Sequence, residues 1–195
     1  MILGNLKIPS INSITSRSSS IRAAFVKAVI PTIFPNNIEV REKLLNELYD
    51  LLPHTHRGSK CAYCTSKATE WDHFRSVIKK SKPSGYSTDI YNLVPSCGKC
   101  NQSKGSKEWN VWIKSEAALS PKTLKTPYLE EEIIPNLIKF EEWSNSKTYK
   151  LTEVEIAELE VYMSECEELI KSLYKYQEKA KAFQIKFQES ANSKF

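Results

Sequence analysis

The sequence has no run approaching the ~18 apolar residues that a membrane span needs, so no membrane-embedded helix is expected. Its first residues, Met1 to Pro9, hold a few apolar side chains but no sustained hydrophobic region and no small-residue cleavage site. A secretory leader is therefore not expected, and the cytoplasm is the expected location. There is no internal repeat. No Lys/Arg-rich helix stands out as a reader of the major groove. Residues 53–107 are short of helical periodicity and of apolar material. A hydrophobic core alone would hold such a stretch poorly, and a metal cross-link would help.

What is present fits a globular chain with helical flanks. At 195 residues, 41% hydrophobic and 26% charged, it is long enough for one domain of moderate size plus an appendage. The net charge of +5 is unevenly spread, with +2 over residues 1–52, +7 over 53–115 and −4 over 116–195. A basic centre suits a polyanionic partner such as nucleic acid, or forms a solvated lysine-rich surface.

Residues 10–20 are serine-rich and read as a loose arm. Ser20 is placed to cap a short helix over about 21–30, and Pro31, Pro35, Asn36 and Asn37 then break the chain. Asn36 with Glu39 resembles a capping box. Val40, Leu44, Leu45, Leu48, Leu51 and Leu52 recur at helical spacing, which predicts a helix over about 38–52 ended by Pro53. Trp109, Trp112 and Ile113 suggest one helix from near Lys99 to about Ser115, with both tryptophans in the core. Ser120-Pro121 reads as a helix start or a loop. Pro135 makes a single helix across 128–143 unexpected. Thr152 with Glu155 forms a capping box that opens a long amphipathic pattern to about Phe187, with Cys166 as a small apolar residue in it. This helix either folds over the rest of the chain or pairs with a copy of itself, making a homodimer. The resulting segments are 1–52, 53–115 and 116–195.

Four of the five cysteines form two Cys-x2-Cys pairs, Cys61/Cys64 and Cys97/Cys100, separated by 32 residues. Without an export signal such pairs read as a metal site. Four thiolates match structural Zn2+ and leave no open position for catalysis. Between and after the knuckles lie Glu70-Trp71-Asp72-His73-Phe74, Asn92-Leu93-Val94-Pro95 and Asn101-Gln102-Ser103-Lys104-Gly105. Asp72 and an Asn101 amide oxygen are hard ligands suited to Mg2+ or Mn2+. His73 has the proton affinity to take a proton from water. His54 and His56 read as exposed loop residues, and Trp71 as a core residue.

The strings CAYC, WDHF and YNLVPSCGKCNQSKG resemble the HNH nuclease family in its zinc-stabilised ββα-metal form, over residues 61–105. The resemblance implies a small central ββα-metal core bound to zinc; with the helical flanks and the long C-terminal helix that the periodicity predicts, the expected fold is α+β in a mostly helical chain. It implies a phosphodiester hydrolase acting on DNA. Asp72 would be a catalytic metal ligand, His73 the general base, and Asn92 the residue that braces the loop and orients His73. Asn101 would be the second metal ligand, in a position where the family name has His. Lys104 lies one helical turn later and reads either as a phosphate contact or as a solvated lysine. Arg57, Lys60, Arg75, Lys79, Lys80 and Lys82 flank the motif and are the expected phosphate contacts. Size and flanking helices suggest a restriction or defence endonuclease on double-stranded DNA. The alternatives are a nicking or mobile-element nuclease and a non-catalytic zinc-ribbon DNA-binding module.

Overall fold

The computed structural model describes residues 2–3, 6–7, 17–80 and 82–193. They form short strands within a mostly helical chain that ends in one very long helix. Residues 10–16 of the expected serine-rich arm lie outside the described residues. In chain order the elements begin with β1 (Ile2–Leu3), paired antiparallel with β2 (Leu6–Lys7), then α1 (Ser18–Ala28). Helix α1 starts before Ser20, so Ser20 lies inside it rather than capping it. Next come β3 (Thr32–Ile33) and α2 (Ile38–Leu51). The cap of α2 is Asn37 rather than Asn36, because the Asn37 side chain accepts from the amides of Glu39 and Val40.

The central segment contains β4 (Glu70–His73), β5 (Ile78–Lys79), β6 (Lys82–Pro83), β7 (Thr88–Asp89) and β8 (Leu93–Ser96). Strands β4 and β8 pair antiparallel, with Glu70 opposite Ser96 and His73 opposite Leu93. β5 and β6 form a tight hairpin, and β7 runs parallel to β3. Helix α3 (Gly98–Lys104) follows β8 after a single residue, completing a ββα unit. The helix expected over 99–115 is instead two helices, α3 and α4 (Trp109–Ile113). Gly105 separates them with φ 52°, a left-handed value that glycine adopts without strain.

Ser120-Pro121 begins a series of turns rather than a helix, and the Ser120 hydroxyl accepts from the Thr123 amide. A π-helical turn (Leu129–Ile133) leads into α5 (Ile134–Asn145), with Pro135 in its first turn where a missing N–H costs nothing. Helix α6 (Glu153–Asn192) has 40 residues and is about 60 Å long. Its capping box forms as the sequence predicts: the Glu155 amide donates to Thr152 Oγ1, and the Thr152 amide donates to Glu155 Oε2.

The chain divides into two compact units, one of residues 1–28 with 157–195, the other of 29–156. Their limits fall at neither 52 nor 115. In the first unit α1 lies against α6. Arg22 makes a two-pronged ion pair with Glu167, at 2.6 and 2.9 Å, and Phe25 meets Tyr162 edge-on. Val26, Met163, Cys166 and Ile170 are buried there.

In the second unit α2 and α5 supply the apolar surface that the basic centre lacks. Leu48, Leu52, Ile133, Leu137 and Phe140 join Tyr63, Phe74, Trp109 and Trp112 in one core. Phe74 stacks on Trp109 at 5.4 Å and meets Phe140 edge-on at 5.0 Å, and Tyr63 meets Trp112 edge-on at 5.3 Å. His54, expected to be exposed, is buried in this unit. Its Nδ1 accepts from the Asn136 amide at 3.2 Å, so its Nε2–H donates to the Ala62 carbonyl at 3.0 Å. Trp71, expected in the core, is 43% exposed, because strand alternation turns it to the face opposite Asp72.

Candidate metal and nuclease centre

The four knuckle cysteines converge, with all four sulfurs within 4.8 Å of one another. A tetrahedral Zn2+ with bonds of about 2.3 Å sets its sulfurs about 3.8 Å apart. Cys64 and Cys97 lie at 3.7 Å, so the donor set fits that ion. Backbone amides point at the sulfurs, from Tyr63 to Cys61 at 3.4 Å and from Cys100 to Cys97 at 3.5 Å. Both favour thiolate. The first knuckle closes through Cys61 N to Ser66 O, with Thr65 in the left-handed region. The crowded sulfurs do not ionise alike. Hydrogen bonds from Cys100 and Cys61 push the Cys64 thiol far down. Hydrogen bonds to Cys61 and Cys64, with burial, push Cys100 far up. At Cys61 the Cys100 contact favours the thiolate, but Cys64 and burial outweigh it and raise the thiol to about 12. The four could all ionise together only around a cation, so the cluster is one that can chelate a metal ion.

Strand β4 presents two different faces. Glu70 and Asp72 point toward α3. Asp72 is buried, and its Oδ2 accepts from Tyr63 Oη at 2.7 Å and faces Lys104 Nζ at 3.0 Å. Tyr63 sits between the two ligands of the first knuckle, so the thiol cluster and Asp72 are one phenol apart. Burial and the neighbouring carboxylate hold Tyr63 well above the usual phenol range, which keeps it a donor. Burial also raises Asp72, against the pull of Lys104 and Tyr63. Asn101, one turn before Lys104, donates to Glu70 Oε2 at 3.0 Å. Thus each of the two carboxylates on this face has its own partner on α3.

His73 lies on the other face. Its Nε2 is 2.8 Å from Thr88 Oγ1 on β7, and its carbonyl accepts from Lys104 Nζ at 2.7 Å. Burial lowers its proton affinity, more than the nearby Asp72 raises it, so the ring favours the neutral form. Asn92, fully buried, fixes this corner. Its Oδ1 accepts from the Arg75 amide at 2.8 Å, and its Nδ2 donates to the carbonyls of Arg75 at 3.0 Å and Ser87 at 2.9 Å. The chain just after His73 is thereby tied to the chain just before Thr88. Asp89 anchors β7 in turn, accepting from Thr148 Oγ1 and the Tyr149 amide.

Residues 61–107 match the family described as HNH endonuclease. That segment carries an HNH-family domain whose four cysteines can chelate a metal. No curated protein and no solved structure matches the chain. The matched segment contains β4 to β8, α3 and both knuckles, and with them Asp72, His73, Asn92 and Asn101.

Two of the expected phosphate contacts are internal. Lys104 is fully buried and spends its charge on Asp72 and the His73 carbonyl. Arg75 is buried and donates to Ser144 Oγ and the Glu141 carbonyl on α5. Both correct the reading of them as DNA contacts, because a buried cation keeps its internal partners rather than reaching a phosphate. Arg57 is exposed, bonded to Asn46 and lying over Tyr49. Lys60 is half-buried, Lys79 pairs with Glu108, and Lys80 and Lys82 are exposed around the β5–β6 turn. Tyr63, Glu70 and Thr88 were given no role from sequence. Glu70 and Tyr63 lie within the quoted motifs, at i−2 from Asp72 and inside the first knuckle. Thr88 carries no local signal.

Proposed function

We propose that the chain is a metal-dependent DNA endonuclease of the HNH type, acting as a restriction or defence enzyme on double-stranded DNA. The observation that carries this reading is the ββα unit within the family-matched segment, in which Asn92 holds the corner beside a half-buried, neutral-leaning His73. In this reading His73 accepts the proton of the attacking water, and Thr88 and Asn92 set the plane of its ring. Mg2+ or Mn2+, when bound, supplies stabilisation of the negative charge that develops on the phosphate. Asp72 and Asn101 are its proposed ligands, and Glu70, bonded to Asn101, adds a third hard oxygen donor to that face. Exposed Lys80, Lys82 and Arg57, with half-buried Lys60, would hold phosphates and give affinity without sequence information. Zn2+ in the four-cysteine clamp is structural.

A second reading is a zinc-clamped DNA-binding module without catalysis. One observation favours it: Asp72 already has a buried lysine and a tyrosine as partners. Incubation of the zinc-loaded protein with supercoiled plasmid and phage DNA, with Mg2+ or Mn2+, separates the readings. Discrete fragments support restriction and open circles a nicking enzyme. DNA binding with no cleavage under either metal leaves only the binding module.

A further inference from the structure

The face of β4 that bears His73 also borders a cavity. Phe34, Arg41, Leu45, Trp71, Ile90 and Leu93 enclose about 340 Å3. Trp71 is two residues from His73 on the same face, and Leu93 is the cross-strand partner of His73. The remaining walls come from elements tied to the same corner. Phe34 follows β3, which pairs with β7, where Thr88 holds the imidazole. The cavity is thus part of the environment of His73, although no residue assigned to catalysis lines it.

Its chemistry is selective. Two aromatic rings and three aliphatic side chains form the walls, and the single charged member is the Arg41 guanidinium. Trp71 and Phe34, which line the same cavity, are 43% and 37% exposed. A volume of this size lies at the low end of ligand cavities and suits one planar ring system rather than an extended chain. Aromatic walls bind any base through its π-face, and a cation at the rim favours the phosphate that accompanies it. The surrounding segment, net +7 over 53–115, complements a polyanionic strand.

We infer that this cavity receives one unpaired nucleobase of the substrate, stacked on Trp71, while the adjoining backbone lies over His73. The inference rests on the nuclease reading for what it positions, but not for its own test. It makes the preferred substrate a duplex with a base already out of the stack, since extrusion of a paired base costs free energy that an unpaired one does not.

The test uses full-length, zinc-loaded protein without Mg2+ or Mn2+, so that binding is read without cleavage. A labelled duplex carrying one bulged 2-aminopurine is compared with the fully paired duplex. The bulged duplex is expected to bind at least about fivefold more tightly, with quenching of the 2-aminopurine as it stacks. Trp71→Ala is expected to remove both the preference and the quenching, with affinity for the paired duplex within about twofold of wild type. Equal affinities with unchanged fluorescence in the wild-type protein overturn the inference, whatever the variant does. That is also the result if the cavity serves an apolar side chain of a protein partner. Adding Mn2+ afterwards separates this from the nuclease reading: preference without cleavage sinks only the enzyme, and cleavage without preference sinks only the base site.

Discussion

The two faces of β4 put two residues each to opposite ends. Toward α3, Glu70 and Asp72 meet Asn101 and Lys104, and every charge on Asp72 and Lys104 is answered inside the protein. Toward β3 and α2, His73 leans neutral and Trp71 stands open over an apolar cavity. The contrast teaches that an adjacent Asp-His pair on an extended strand is split by the pleat, Asp72 into a buried ion pair and His73 onto a half-buried face. The four-cysteine cluster touches the first face directly, through Tyr63.

Breaking both faces at once should have the largest effect. Stripping the metal with a strong chelator, or Cys61→Ser, should unfold residues 29–156, since a structural zinc is worth on the order of 10 kcal/mol to a small domain. Loss of near-UV circular dichroism would record it, and a chelated protein that keeps its native spectrum would refute the structural role of the clamp. Breaking only the open face should separate activity from stability. His73→Ala is expected to lower the cleavage rate by about a hundred- to ten-thousandfold, while the urea midpoint and DNA affinity stay near wild type. A variant that cuts at the normal rate removes His73 as the base.

Breaking the locked face should show first in stability. Lys104→Met leaves a buried carboxylate without its cation, and such a break costs about 3–5 kcal/mol. Asp72→Asn together with Lys104→Met should recover part of that loss. If Lys104→Met alone is as stable as wild type, the lock is not what holds α3 to β4.

The smallest expected effect sharpens the comparison at a site belonging to neither face. Buried His54 has its proton affinity lowered by burial. Its folded form binds protons less readily than the unfolded chain, so its contribution is fully present above the ordinary histidine value of about 6.5 and is lost as pH falls below it toward the folded value. His54→Asn should flatten that acid decline in the urea midpoint. An unchanged decline would place the titration elsewhere, His73 being the next group to test.

What could be read from the sequence was local. The two Cys-x2-Cys pairs, the Thr152/Glu155 box and the helix that begins near Ile38 each depend on residues within a few positions of one another. The ββα order of the central segment was an expectation of the family resemblance, while the register of β4 against β8 joins residues more than twenty positions apart. The features that were misread depend on remote partners. Arg75 is buried because Ser144 and Glu141 lie 69 and 66 residues later. His54 is buried because Asn136, 82 residues on, supplies a donor. Lys104 looks like any solvated lysine until Asp72, 32 residues earlier, is placed beneath it. Trp71 reads as core by its size, yet the pleat turns it out, and hydrophobicity cannot say which face of a four-residue strand is covered. Where a polar side chain finds an internal partner, local pattern carries no trace of it.

Tyr63 has a consequence for anyone who would redesign the domain. Four-cysteine knuckles look interchangeable, since any loop with the right spacing will seat the ion. Here the residue midway along the loop reaches out of it to serve the carboxylate of the neighbouring strand. A graft that kept both thiols and replaced this ring with an aliphatic side chain would inherit the cross-link and forfeit the alignment, yielding a protein well folded at its clamp and out of register at Asp72.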